Sequence, residues 1–427
     1  MAPFDPWLGF WAASVAAAKS ALDIVSEAVG AEARREAQGA EAPREWATPH
    51  RIVRELATMR VLEFSNGRPG AAAIIVAPYA VHSATTADFA RHHSVVGALL
   101  AGGVTRLRLT DWKSAVPEAR YFSIDTHLAD LNVAVDDFGA PAALVGLCQG
   151  GWLAAAYAAR FPAKVRSLAL AAAPIDIAAD ASGLGSLAAV TPRETVEEML
   201  ALGDGRLLGR LMLAMWPAAK PGPGGVLDIL QLGAADDARA RARHARLQAR
   251  FDRWHAAVVD LPGVFYRQTV DWMFRENRLA AGRFVALGER LDLSSIVCPI
   301  FLLAAEGDEI TRPGQCLALA RLAGTPPARI ETCVVKEATS ACSWARRRWR
   351  RRGATLRGSS PDGVNRSSSR RPEWAAAKSA GHADGPHSLL PTNHWINGER
   401  AGARTRDPLI KSQMLYRLSY ALQGGCA

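Results

Sequence analysis

The chain has 427 residues, 49% of them hydrophobic and 22% charged, which excludes wholesale disorder and collagen-like repetition and leaves room for one large or two ordinary domains. Its formal charge is +10, yet residues 337–427 hold 16 Lys and Arg against 6 Asp and Glu, while residues 1–336 balance at 35 of each. The main body therefore offers no electrostatic case for nucleic-acid binding.

Residues 1–60 are predicted as an N-terminal helical segment with a polar connector around Glu32–Arg44. Within it, Trp7–Ala18 is apolar but shorter than the roughly 20 residues that span a bilayer, and no Lys or Arg precedes it as a secretory signal would require. It reads as an amphipathic surface helix, with an interface anchor as the alternative. From Ala71 the pattern changes. Ala71–Pro78, Val104–Trp112, Ala142–Cys148, Val165–Pro174 and Pro299–Asp308 are short apolar runs ending in turn residues. Helical stretches, Asp88–Ala101, Ile124–Phe138 and Gly151–Phe161, separate them. Buried strands alternating with helices predict a doubly wound, mostly parallel α/β sheet over residues 61–336. Residues 178–285 are helical and almost free of strand signals, as expected of a cap inserted over the carboxyl ends of the strands. After Lys336 the composition breaks: Trp344–Gly358 reads WARRRWRRRGATLRG, and residues 337–427 form an irregular basic tail without periodicity.

The six cysteines (148, 298, 316, 333, 342 and 426) show neither CxxC pairing nor Cys/His metal spacing, so no metal and no cofactor is expected, and a reducing cytoplasm suits the chain better than secretion. One of them has a different setting. The strand Ala142–Leu147 runs into Gly146-Leu147-Cys148-Gln149-Gly150-Gly151 and then a helix. A G-x-nucleophile-x-G turn between strand and helix holds its central residue in a strained conformation above the sheet, and the glycines let strand and helix approach. Cys148 at the helix N-terminus, where the dipole favours a thiolate, is thus the candidate nucleophile; a small buried Cys in a tight turn is the alternative. The Gln149 backbone N–H is one oxyanion donor, and the loop around Tyr79 and Ala80 supplies the second. Asp308, after a later strand, is the candidate acid, with Asp176 as a second choice. His82 and Trp112 are candidates to line the substrate pocket. The base should be a histidine after the next strand, Arg329–Lys336, and none occurs there; the next are His382, His387 and His394 in the tail.

At these residues the sequence resembles the polyhydroxyalkanoate enzymes of the α/β-hydrolase fold, above all the intracellular polyhydroxybutyrate depolymerases. Val76-Ala77-Pro78 with His82 and Ala84-Thr85 is similar to that family's APxSGHxAT, Thr110-Asp111-Trp112 to its TDW, and Cys148-Gln149 to its catalytic CQ pair. Pro174-Ile175-Asp176 is similar to its PID, Phe265–Val270 to its FYxQTV and Gly314-Gln315 to its GQ. Gly146 with Gly150-Gly151, Glu276–Leu279 and Asp260–Gly263 instead look like the related synthases. The resemblance implies an esterase that cleaves 3-hydroxyacyl esters of a polyhydroxyalkanoate polymer through Cys148. Its alternatives are a synthase-like acyltransferase on a 3-hydroxyacyl thioester and a non-catalytic protein of the polymer-granule surface. It implies a cytoplasmic location, with granules as the candidate surface, and no membrane span or nucleic-acid partner.

The family's base lies in a segment like GGHxGxFxG directly after a strand. Here Lys336–Ala345 reads KEATSACSWA. One permissible set of codons for that string, read from the third base of the lysine codon, spells G-G-H-L-G-L-F-M-G. A shift of reading frame near Lys336 is therefore the expectation. It would remove the family histidine, leave residues 337–427 unrelated to the fold and impair the enzyme.

Overall fold

A computed structural model describes residues 44–64, 71–91, 93–139, 141–215, 237–308 and 310–335; the expectations placed on Trp7–Ala18, on the break at Lys336 and on residues 337–427 lie outside them. Eight strands form one sheet: β1 (Arg51–Glu55), β2 (Met59–Glu63), β3 (Ala71–Val76), β4 (Val104–Trp112), β5 (Ala142–Leu147), β6 (Val165–Ala171), β7 (Ile300–Ala305) and β8 (Ile330–Val335). Their order is β1-β2-β4-β3-β5-β6-β7-β8. Only β2 runs antiparallel to its neighbours; the pairs from β4 to β8 are all parallel. That order and the short apolar runs agree with the α/β-hydrolase fold expected from the sequence.

Every residue of β5 and β7 is buried, as is all of β3 beyond Ala71. Such continuous apolar runs are what central parallel strands need when helices cover both faces. Helices α1 (Val95–Ala101), α2 (Ile124–Asp136) and α3 (Gln149–Arg160) follow β3, β4 and β5. The start of α2 is fixed by a reciprocal cap between Ser123 and Thr126. β8 is an edge strand, and its Val334 is 43% exposed.

Between β6 and β7 lie α4 (Gly183–Val190), α5 (Arg193–Leu202), α6 (Gly209–Met215), α7 (Ala238–Ala256) and α8 (Gly263–Gln268), the last running into a π-helical turn at Thr269–Arg275. These make up the helical cap. It is tied back to the core: the Ile124 N–H donates to Gln268 Oε1 at 2.8 Å, and His82 pairs with Val258 in an isolated antiparallel bridge.

Two helical expectations are corrected. RIVRE and MRVLE, at 51–55 and 59–63, form strands β1 and β2, because Met59, Val61 and Leu62 are buried and the β2 backbone pairs with β4. Asp88–Ala101 is helical only from Val95. Ser94 caps α1 by accepting from the Gly97 N–H at 2.7 Å, and the Asp88 carboxylate accepts from both the N–H and the hydroxyl of Thr48. A side chain bound outward in that way starts no helix.

Candidate active site

The turn between β5 and α3 is built by close approach. A Cβ on Gly150 would stand 2.2 Å from the Val76 carbonyl oxygen at the end of β3, and one on Gly151 would stand 2.3 Å from the Ala173 Cβ beyond β6. Between them the Cys148 backbone takes φ 49° and ψ −118°, a conformation that costs a non-glycine residue on the order of 1–3 kcal/mol. It is held because the Cys148 N–H donates to the Ala171 carbonyl at 2.8 Å and the Cys148 carbonyl accepts from the Gly151 N–H at 2.8 Å.

The loop after β3 is clamped on both sides of one residue, Ala77. The Ala77 N–H donates to Thr110 Oγ1 at 3.1 Å, and the Ala77 carbonyl accepts from the Trp112 indole N–H at 2.8 Å. Trp112, read as a pocket residue, is fully buried and supports the loop from below. Asp111, between them, faces the other way and pairs with Arg44 and Arg60. Tyr79 stacks on Trp112, and its hydroxyl donates to the Lys113 carbonyl at 2.9 Å. The ring of His127 packs against Tyr79, Trp112 and Phe265, which sequence reading missed because a lone His in an apolar helix carries no motif. Burial pushes His127 down to about 4.

The pocket over this turn has a volume of about 500 Å³ including its open mouth and is lined by Pro78, Leu147, Cys148, Ala172, Asp308 and Thr311 among others. The structure thus brings Cys148 and Asp308 together. Asp308 is buried, and its Oδ1 accepts from the N–H groups of Ile310 and Thr311 at 2.9 and 3.0 Å. Cys148 is half-buried, at the entry to α3. Loss of hydration and then the Asp308 charge nevertheless push the thiol up to about 12. The lowering expected from the helix N-terminus, at most about 2 kcal/mol, is opposed here by burial beside a carboxylate.

Gln149 lies at the start of α3, and its side-chain oxygen accepts from the Trp152 indole at 2.6 Å. Pro78 reaches the pocket, while Tyr79 and Ala80, the expected second oxyanion donors, are not among its lining residues. His82 is also elsewhere: its ring stacks on Trp254 and its Nε2 lies 3.3 Å from the His255 carbonyl, against helix α7 of the cap. It was read as a pocket residue because it follows the oxyanion loop, but the bridge to Val258 turns it to the cap. Among the described residues no histidine lines the pocket. Asp176, the second acid candidate, binds Arg321 and accepts from Asn277 Nδ2 at 2.7 Å. The Gln315 carbonyl accepts from the Ile175 and Asp176 N–H groups, and its side-chain amide donates to the Asp180 carbonyl at 2.8 Å. The PID, GQ and Glu276–Leu279 segments therefore form one structural knot. Among the described residues no group of three or more His, Cys, Asp and Glu could hold a metal, and no helix is long and apolar enough to cross a membrane.

A family described as PHB de-polymerase C-terminus matches residues 230–354, and one described as alpha/beta hydrolase fold matches residues 110–223. Among curated proteins, a poly(3-hydroxyalkanoate) polymerase subunit PhaC of Synechocystis sp. is 29% identical over 58% of this chain and 65% of its own length. The PhaC subunit of Allochromatium vinosum is 25% identical over 56% of this chain and 67% of its own. The chain thus spans about two thirds of the length of these two relatives and about half of two further PhaC subunits that it matches. Among solved structures, a monoacylglycerol lipase of Paleococcus ferrophilus is 15% identical with a TM-score of 0.37, covering 65% of this chain and 88% of that one. The sequence reading put hydrolysis first; the names of these relatives favour the synthase alternative.

Proposed function

We propose, for a chain that belongs to the polyhydroxyalkanoate polymerase and depolymerase family of the α/β-hydrolase fold, an acyltransferase that takes a 3-hydroxyacyl group from a thioester onto Cys148 and passes it to a hydroxyl of a growing polyester. The observation that carries this reading is the strained turn that holds Cys148 in a pocket with Asp308. The sulfur attacks the thioester carbonyl, the Gln149 N–H faces the developing oxyanion, and collapse expels the thiol leaving group. The loop after β3, held at Ala77 by Thr110 and Trp112, brings the Val76 and Ala77 carbonyls against Gly150 and Pro78 to the pocket wall.

The test is incubation with 3-hydroxybutyryl-coenzyme A. An acyl adduct on the Cys148 peptide, detected by mass and lost in Cys148→Ala, is expected. Free thiol released with no adduct in either protein contradicts the reading. A depolymerase acting on polymer esters is the second reading, favoured by the match at residues 230–354; release of 3-hydroxybutyrate from amorphous polymer, without transfer from the thioester, selects it.

Burial and the Asp308 charge both oppose the thiolate, so slow acylation is the expected outcome. Losing one member of a catalytic triad typically removes several orders of magnitude of rate. We assign the missing family histidine to a frame shift near Lys336, because Lys336–Ala345 reads KEATSACSWA where the family's histidine segment should stand. Sequencing the DNA across that codon tests it: an unbroken frame with other codons ends the idea. Attachment to the surface of polymer granules belongs to the same reading and is measured by sedimentation of the chain with granules.

A further inference from the structure

Residues 1–336 are electrically balanced, yet the cap helix α7 carries six Arg against one Asp in its 19 residues. Ala240, His244, Leu247 and Phe251 bury one face of it and so fix its rotation. At 3.6 residues per turn, Arg239, Arg243, Arg246, Arg250 and Arg253 then follow one another in steps of four and three along one flank, a stripe about 21 Å long. Ala238, Ala242, Ala245 and Ala249 are exposed on the face beside it. Glu45 takes up the last two arginines: its carboxylate accepts from Arg253 Nε and its carbonyl from Arg250 Nη2, each at 2.7 Å. Arg239, Arg243 and Arg246 are exposed and pair with no carboxylate among the described residues. This arrangement works against the helix. Cations three and four residues apart repel, and Arg239 and Arg241 stand in the first turn, where the helix dipole favours anions. A bound anionic surface relieves both.

We propose that the arginine stripe of α7 is a docking surface for an anionic lipid layer. It is a straight, exposed run of guanidiniums, and the alanines beside it let a flat surface come close. Its aromatic side chains are turned inward, Phe251 being buried and Trp254 stacked on His82, so no ring is offered for a base to stack on. The described chain begins at Arg44, next to Glu45 at the end of the stripe, and the sequence before it holds the apolar segment Trp7–Ala18. An apolar segment and a basic patch are the two signals that together hold a protein on a lipid surface. The surface is independent of the chemistry at Cys148.

The experiment is sedimentation of the full chain with vesicles of phosphatidylcholine alone and of phosphatidylcholine mixed with phosphatidylglycerol. The wild type should bind the anionic vesicles and leave the neutral ones. A cation beside an anionic surface is worth about fivefold in binding, so Arg239→Ala, Arg243→Ala and Arg246→Ala combined should weaken it about a hundredfold. These positions are exposed, and alanine removes the repulsion, so the denaturant midpoint of that variant should stand at or above the wild type's. Because residues 337–427 are basic too, Arg346→Ala, Arg347→Ala and Arg348→Ala combined is the control for charge alone and should stay within about fivefold of the wild type. Unchanged binding in the α7 variant, or an equal fall in the control, overturns the proposal. So does a wild type that ignores anionic vesicles; retention on single-stranded DNA through the same three arginines would then make the partner a nucleic acid instead.

Discussion

The two halves of the pocket differ in how they are held. On the nucleophile side, the turn at Cys148 is gripped by β3, β6 and the start of α3, with glycines admitting carbonyl oxygens and a methyl group to distances no side chain allows. The loop facing it is clamped by Thr110 and Trp112 and floored by Tyr79, His127 and Phe265. On the acid side, Asp308 spends one oxygen on the backbone of its own turn, and its charge faces the thiol with no imidazole among the described lining residues between them. The proposed nucleophile is thus set beside a carboxylate whose charge works against ionisation of the sulfur, with no imidazole among the described residues that line the pocket. Geometry for attack and proton handling are separable properties, and the described residues carry the first.

The comparison can be broken most forcefully at the turn. Gly150→Ala places a methyl 2.2 Å from the Val76 carbonyl oxygen and should cost about 3 kcal/mol of stability, with loss of Cys148 labelling in whatever remains folded. Denaturant titration measures the first; a wild-type midpoint would show that the turn is not held by close approach.

A pH effect of similar or smaller size comes from the floor of the nucleophile side. His127 is held neutral, with its folded value down at about 4 against 6.5 for the free side chain. Between those values the unfolded chain binds the extra proton and the folded chain does not, so its contribution is fully present above pH 6.5 and is lost as pH falls towards 4. It amounts to at most about 3 kcal/mol. His127→Phe should flatten the stability profile over that window, and an unchanged acid limb would mean that His127 is not the group responsible.

The smallest effect has the sharpest sign. Asp308→Asn removes the charge that opposes the thiolate and should raise the alkylation rate at Cys148 by roughly threefold. In a site whose acid orients an imidazole, the same substitution would lower it.

Much of this was readable in the sequence. The glycines around Cys148 announce a tight turn because only close packing of strand, turn and helix requires them at that spacing, and Asp308 follows from its place at the end of an apolar run. What failed has physical causes. RIVRE is almost wholly exposed and MRVLE only five residues long, so neither carries an apolar pattern strong enough to outweigh the surrounding Ala/Glu-rich helical signal. His82 follows the Pro78 loop in sequence, yet the bridge to Val258 turns it to α7, and Trp112, at the end of β4, spends its indole N–H on Ala77 beneath the loop rather than on the pocket wall. Thr311 went unnoticed because a single threonine has no periodicity; only its turn with Asp308 reveals it. The PID and GQ segments read as signatures of chemistry, whereas their side chains and backbone tie β6, α9 (Pro313–Leu317) and the cap together.

The pH dependence of Cys148 alkylation in the wild-type chain tests the central claim most directly. A thiol pushed up to about 12 gives a rate that climbs about tenfold per pH unit from pH 6 through pH 9 without levelling. A rate that is already flat near neutrality, the signature of a thiolate paired with an imidazolium, would contradict it.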